Sequence, residues 1–243
     1  FLMIRRPPRS TPLYSWQRQM CIRDSYYAFD KIELLRRKLL ISKKEIDVTD
    51  LGAGKSGKRF IYEIAERAAK NSKYGQLLFR ITNRFKPDRI IELGTSLGIS
   101  TAYLASANPH ANVITLEGCP NTSAEAKMNF EALGLKNINT IVGNFDNTLP
   151  AVLNLLPTTN CLLVFIDGNH KKTPTLNYFK QFLAHANENT ILIFDDINWS
   201  DEMADAWEEI KKNPAVTITI DLFFLGLVFF RKERAKEHFV IRY

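Results

Sequence analysis

The stretch Ile90–Thr101, IIELGTSLGIST, decides how this chain folds. An apolar run from Arg89 to Leu93 carries one acid, Glu92. Two glycines follow four apart, Gly94 and Gly98, and a helix-like segment starts at Ile99. A buried strand that passes through a glycine turn into a helix reads as the opening unit of a parallel sheet. Ligands bind such sheets beyond the carboxyl ends of the strands, where strand order reverses. Gly94 lets the chain turn sharply, and Gly98 lets the helix begin close to a ligand. The first N–H groups of that helix lack partners and carry the positive dipole end, which suits a carboxylate or phosphate.

Outward from this turn, strand and helix candidates alternate. The strand candidates are Arg89–Leu93, Asn112–Glu117, Ile138–Val142, Leu162–Asp167 and Thr190–Asp195. Between them lie helix candidates at Ile99–Ala107, Thr122–Leu133, Asn147–Leu155 and Thr175–Ala186. Such alternation predicts a parallel sheet covered on both faces. Ser200 caps a further helix, with Asp201 and Glu202 in its first turn. Two strands without a helix between them, Ala215–Asp221 and Phe224–Arg231, must pair antiparallel. The expected fold is therefore α/β: a Rossmann-like, doubly wound, mostly parallel seven-stranded sheet closed by an antiparallel hairpin. Ahead of it, apolar spacing at Phe29, Ile32, Leu35 and Leu39 marks a helix. Arg59–Lys70 and Gln76–Phe85 read as two more, so residues 26–88 are expected to form a helical cap or lid over a body at 89–243.

The glycine spacing discriminates between cofactors. Dinucleotide sites use G-x-G-x-x-G because a pyrophosphate lies against the turn. Here the pattern is G-x-x-x-G behind Glu92, and an acid aimed at the turn would repel pyrophosphate and favour an ammonium. Glu117 ends the second strand, where an acid can accept both hydroxyls of a ribose. ELGTSLGIS resembles the cofactor motif of class I S-adenosylmethionine-dependent methyltransferases, in the form E-[LI]-G-x-x-x-G-[YI]-S of the catechol and caffeoyl-CoA O-methyltransferase type. The similarity covers Arg89 to about Ser200. It implies that Glu92, Gly94 and Ser100, with Thr95, Ser96 and Gly98 in the same turn, hold the methionine end. It also implies that Glu117 holds the ribose and that Asn144 and Phe145 of VGNFD lie by the adenine. For Ser100 and Phe145, a helix start and a core position are the plain structural readings.

Acids also end the fourth and fifth strands, Asp167 in LLVFID and Asp195-Asp196 in ILIFDD. These strands should be neighbours, so the carboxylates should converge. Unpaired, they would raise one another's pKa; an all-oxygen set suits magnesium, manganese or calcium. Such a cation activates and positions a hydroxyl nucleophile. His170, on the same turn as Asp167, is the candidate base. The resemblance agrees, since metal-dependent O-methyltransferases, including the macrolide-sugar group, carry acids after these two strands. The Asp195-Asp196 pair departs from the Asp-Asn of the catechol type and leaves the acceptor class open.

Near the amino end, Met3–Thr11, MIRRPPRST, resembles a translated sequencing adapter, and Gln19–Ser25, QMCIRDS, resembles a transposase mosaic end. Residues 1–25 are set aside as a non-native artefact, with a basic disordered arm or transit peptide as the other reading. Without their five arginines and one aspartate, 28 basic and 25 acidic residues remain, a net charge of +3 instead of +7. The whole-chain pI near 9.3 hints at nucleic acid, and that hint fades with the cut. No apolar run reaches the length of a membrane span. Cys119 and Cys161 sit in strand-like contexts without metal or disulfide spacing, which fits a cytoplasmic setting. GAGKSGKR at Gly52–Arg59 resembles a phosphate loop but fails it: Gly57-Lys58 is followed by Arg59 rather than Ser or Thr. KEHFVIRY near the carboxyl end reads as an edge strand or a homodimer contact.

The expectation is thus an S-adenosylmethionine-dependent methyltransferase acting on a small-molecule hydroxyl, with a divalent metal, no nucleic-acid partner and no membrane. Its rivals are an NAD(P)-dependent oxidoreductase and a non-catalytic S-adenosylmethionine-binding protein.

Overall fold

The computed structural model describes residues 26–52, 56–68, 71–156, 160–232 and 235–243. The segment 1–25 and most of the phosphate-loop look-alike's GAGK lie outside them. Strands β3 (Arg89–Leu93), β4 (Asn112–Glu117), β5 (Ile138–Val142), β6 (Leu162–Ile166) and β7 (Ile191–Asp195) are parallel. They are followed by the helices α4 (Ile99–Ala107), α5 (Pro120–Leu133), α6 (Phe145–Asn154), α7 (Lys172–Leu183) and α8 (Asp201–Lys212). The strands β8 (Ile218–Asp221) and β9 (Leu225–Phe229) form the expected hairpin, with β9 antiparallel to both β8 and β7.

Among the described residues the main sheet has eight strands, not seven; with Glu237–Val240 as β10, the order is β10-β8-β9-β7-β6-β3-β4-β5. The extra strand is β10 (Glu237–Val240), which lies parallel to β8 at the sheet edge. Glu237 N donates to Thr217 O and Ile241 N to Asp221 O, so the edge-strand reading of KEHFVIRY holds. The order reverses at β3, which pairs with both β4 and β6. That is the switch point where a ligand crevice opens.

Alternation along the strands supplies two cores, one on each face. Ile91, Leu93, Val164 and Leu192 pack toward α6, α7 and α8. Ile90, Leu163, Ile191 and Ile193 pack with Leu104 of α4 and with Tyr74, Leu78 and Ile81 of α3 (Ser72–Phe85). Covering on both faces explains why these strands are nearly continuous in Val, Ile, Leu and Phe.

The cap is not purely helical. Helix α1 (Tyr27–Leu40) leads into the antiparallel ribbon β1 (Glu45–Val48) and β2 (Gly57–Phe60), and only then comes α2 (Ile61–Ala68). The helix expected from Arg59 starts two residues later because Arg59 and Phe60 pair with Ile46 and Glu45. Phe29 and Ile32 of α1, Ile61 and Ile64 of α2 and Phe79 of α3 share a third core with Leu97, Ile99 and Tyr103. A partly buried polar latch joins cap and body: Tyr103 Oη donates to Glu33 Oε1 at 2.6 Å, and Arg36 Nε lies 3.1 Å from the same oxygen. The ribbon is fixed over the sheet edge by Asn121 Nδ2, which donates to Asp47 O at 2.8 Å, and by a Lys44–Glu125 ion pair. Among the described residues no helix is long and apolar enough to cross a membrane.

Candidate active site

Loops after β3, β4, β5, β6 and β7 surround one cavity of about 800 Å³, roofed by the β1–β2 ribbon and α2. That volume suits a nucleoside-sized ligand with room for a second molecule. Gly94 lines it with φ 104°, and a Cβ added there would lie 2.0 Å from the Asp167 carbonyl oxygen. The turns after β3 and β6 are thus pressed together as only glycine allows. Ser96 follows in the left-handed region at φ 47°. Its N–H donates to Glu117 Oε2 at 2.8 Å, and Cys119 N donates to Glu117 Oε1 at 2.9 Å. One carboxylate therefore ties the loops after β3 and β4 together while facing the cavity. Burial pushes the Glu117 carboxyl above its ordinary range, against the pull of those backbone donors.

The expected cofactor residues divide into two shells. Gly94, Ser96, Glu117, Asn144, Phe145 and Asp167 line the cavity. Glu92, Thr95, Gly98 and Ser100 stand behind the turn and do not reach its wall. Gly98 starts α4 at φ 82° and packs so tightly on Phe130 that a Cβ would fall 2.4 Å from that ring. Thr95 Oγ1 bonds Thr115 Oγ1 at 2.6 Å. Glu92 is wholly buried; Thr115 Oγ1 donates to its Oε2 at 2.7 Å, Thr101 Oγ1 donates to the same oxygen, and Ser100 bonds it too. Glu92 Oε1 has no hydrogen-bond partner among the described residues.

Burial, opposed by those hydroxyls, raises Glu92 from 4.5 to about 7. A carboxyl whose pKa is raised on folding holds its proton in the folded state while the unfolded chain has lost it. Stability therefore falls as pH rises from 4.5 to 7, and the full cost of about 3 kcal/mol applies above that window. Glu92→Gln is accordingly expected to exceed the parent in stability by about 3 kcal/mol at pH 8 and to match it at pH 4. Urea denaturation at the two pH values checks this; an equal difference at both would mean that Glu92 is ionised throughout.

The other half of the cavity carries the acids of β6 and β7. His170 Nε2 lies 3.7 Å from Asp167 Oδ1, and its Nδ1 lies 3.9 Å from Asp196 Oδ2. The ring thus stands between the two carboxylates. Asn169 and Asp196 both take left-handed backbone, at φ 57° and 52°, which their short polar side chains tolerate better than most. Asp195 ends β7 nearly buried at 2 % exposure. Among the described residues no group of three or more His, Cys, Asp or Glu is arranged to hold a metal ion. The three acids are of the expected type and share one cavity, but as arranged they do not form a ligand set.

Several lining residues escaped the sequence. Cys119 is not in a strand: it caps α5, its Sγ accepting from Thr122 N at 3.5 Å and Thr49 N at 3.3 Å. Thr122 itself and Tyr178 of α7 line the cavity, and Tyr178 Oη accepts from Asn169 Nδ2 at 3.3 Å. Arg59 and Arg67 reach it from the cap. Asn144 caps α6, its Oδ1 accepting from Asp146 N at 2.9 Å, and also faces the cavity. Trp199 lines the rim at 71 % exposure. Lys172 points away to Asp205 and Glu209.

A doubly wound sheet closed by this hairpin is the fold that the chain shares with solved methyltransferases. Residues 91–197 match the family described as a methyltransferase domain. A catechol O-methyltransferase of Mycobacterium tuberculosis is 29% identical over 133 residues, 54% of this chain and 58% of that one. One from Niastella koreensis is 28% identical over 144 residues, covering 58% of this chain and 62% of its own. The chain thus matches about three fifths of the length of these relatives. Among solved structures, a Bacillus cereus O-methyltransferase in complex with SAH superposes with TM-score 0.61 at 16% identity, over 89% of this chain and 97% of that one. A Podospora anserina methyltransferase bound to SAH gives 0.64 at 17%, over 94% and 99%. These two show the shared fold.

Proposed function

We propose that the protein transfers the methyl group of S-adenosylmethionine to a hydroxyl oxygen of a small molecule. The observation that carries this is one cavity holding two sets of groups: Glu117, fixed by Ser96 N and Cys119 N beside the Gly94 turn, and His170 between Asp167 and Asp196. Bound S-adenosylmethionine supplies an electrophilic methyl: the O–C bond forms as the S–C bond breaks, leaving S-adenosylhomocysteine. The chain's residues do the rest. Glu117 accepts the ribose hydroxyls. Asn144 and Phe145 flank the adenine. Where the pH lies above its raised pKa of about 7, the Glu92 carboxylate under the turn favours the ammonium through its field rather than by contact. His170 takes the acceptor's proton, with two carboxylates facing the charged ring that results. The catechol O-methyltransferase relatives support oxygen as the methylated atom. We treat residues 26–88 as a cap over the acceptor and 89–243 as the catalytic body.

Calorimetric titration with S-adenosylhomocysteine and with NAD tests the cofactor. Micromolar binding of the first and none of the second is expected; the reverse would return the NAD(P)-dependent reading. Cofactor binding without turnover of any hydroxyl acceptor would leave a non-catalytic binder.

A divalent cation held by Asp167, Asp195 and Asp196 is the finer part of this reading, supported by three carboxylates at the ends of neighbouring strands. Turnover measured with magnesium and with a chelator decides it. A rate that survives chelation leaves His170 as the activating group. A rate that collapses and returns with magnesium means that the carboxylates regroup around a cation.

A further inference from the structure

His170 is placed without a hydrogen bond of its own. Its ring nitrogens stand 3.7 Å from Asp167 Oδ1 and 3.9 Å from Asp196 Oδ2, and the ring makes no hydrogen bond among the described residues. What holds it is therefore the backbone beneath. Lys171 N donates to Asn169 O, so His170 is the middle residue of a γ-turn. Asn169 opens that turn in left-handed backbone at φ 57°. Its side-chain amide reaches out of the turn, where Asn169 Nδ2 donates to Tyr178 Oη at 3.3 Å. Tyr178 belongs to α7, the helix into which the same turn leads, and it is buried at 1 % exposure. Its ring meets Phe145 edge-on, 6.1 Å between centroids. Phe145 in turn packs against Gly168, where an added Cβ would fall 2.8 Å from that ring. Gly52 of the cap also lies close, since a Cβ there would stand 3.6 Å from Asn169 Cα. The turn is thus seated on two aromatic rings and tied by one hydroxyl.

We propose that Tyr178 is a positioning residue for methyl transfer: its hydroxyl, through the Asn169 amide, holds the His170 ring between Asp167 and Asp196. This rests on the methyltransferase reading, in which that ring faces the acceptor's hydroxyl. Packing on Phe145 needs only the ring of Tyr178, and phenylalanine would supply it. A buried phenol needs a partner for its oxygen, and Asn169 supplies one at the residue whose shift moves His170. Asparagine tolerates left-handed backbone without being confined to it. With the bond gone, the amide and the turn under the ring are free to relax. A catalytic group displaced by about 1 Å loses much of its effect. Tyr178 also lines the cavity, so a direct bond from its hydroxyl to the acceptor is the rival role, and the test separates the two.

Tyr178→Phe removes the oxygen and keeps the ring. Asn169→Gly keeps left-handed backbone and removes the amide. Both variants should fold and bind S-adenosylhomocysteine as the parent does. Crystal structures of the parent and the two variants give the first readout. In both variants the His170 ring is expected to leave its place between the carboxylates; a ring that keeps the parent's distances to Asp167 and Asp196 overturns the proposal. Methyl transfer from S-adenosylmethionine to catechol gives the second. Each single variant is expected to lower kcat about tenfold, with KM for S-adenosylmethionine unchanged, and the two combined should cost no more than either alone. In a His170→Ala background, Tyr178→Phe should change kcat by less than about twofold. A tenfold loss that persists there would show the hydroxyl acting on the acceptor directly and overturns the proposal, as does a parent-like kcat in Tyr178→Phe. Where the parent turns over no catechol, the position of the ring in the crystal structures decides alone. A parent that takes up no S-adenosylhomocysteine removes the cofactor reading underneath, whereas a ring unmoved by loss of the hydroxyl removes this inference alone.

Discussion

Replacing His170 by alanine is expected to lower the rate of methyl transfer by about 10²- to 10⁴-fold while S-adenosylhomocysteine binds as it does to the parent. A neutral hydroxyl is a poor nucleophile, and a positioned base removes its proton as the new bond forms. In this cavity His170 is the side chain suited to that task, with carboxylates 3.7 and 3.9 Å from its two ring nitrogens. Those distances are long for hydrogen bonds, which is common before substrate tightens a site. The ring belongs to the turn after β6, whereas Glu117 and its backbone donors belong to the turns after β3 and β4. Loss of the ring should therefore separate kcat from cofactor affinity. Raising the pH supplies a second readout. Where the acceptor's hydroxyl ionises on its own, a base is no longer needed, and the deficit of His170→Ala should narrow. A variant as fast as the parent at neutral pH would show that His170 only fills space between Asp167 and Asp196.

The sheet was legible because its period was. The strands β3, β6 and β7 are buried on both faces, so they appear as short apolar runs ended by an acid or a glycine, and α4 was readable to the residue. The hairpin followed from the lack of a helix between two apolar runs. The ribbon β1–β2 was not legible: GKRF carries no alternation of apolar residues, and its four positions are exposed or only half-buried. Its stability comes from Lys44 and Asp47 reaching α5, contacts that no local pattern announces. β10 was readable only as an alternative for the same reason, being exposed throughout. Within the site, residue type foretold which turns matter but not which side chains reach the cavity. Glu92 and Ser100 lie in the motif yet turn inward to each other and to Thr101 and Thr115. Arg67 reaches the cavity from a helix whose sequence reads as an ordinary amphipathic cap.

The same contrast between turn and ligand wall makes Gly94→Ala the substitution with the largest expected cost to the fold, about 4 kcal/mol. Two effects add. At φ 104° an L-residue is strained wherever it sits. The added Cβ would also fall 2.0 Å from the Asp167 carbonyl oxygen and 2.9 Å from its carbon, both backbone atoms with no rotamer to yield. Nor can the backbone shift freely, because Asp167 N donates to Leu93 O at 2.8 Å and Gly94 N donates to Leu116 O at 2.9 Å, tying β3 to both neighbours. Gly134→Ala is the control: that residue ends α5 at φ 71° with nothing within 4 Å of an added Cβ, so it bears the conformational cost alone, about 1 kcal/mol. Urea denaturation of the two variants at one pH measures the difference, and equal losses would mean that the contact with Asp167 is not what requires glycine at 94. Affinity for S-adenosylhomocysteine should fall in Gly94→Ala and hold in Gly134→Ala, since only the first pushes apart the turns after β3 and β6. Those are the turns that carry Ser96 on one side and Asp167 and His170 on the other, so any separation moves the cofactor cradle away from the base.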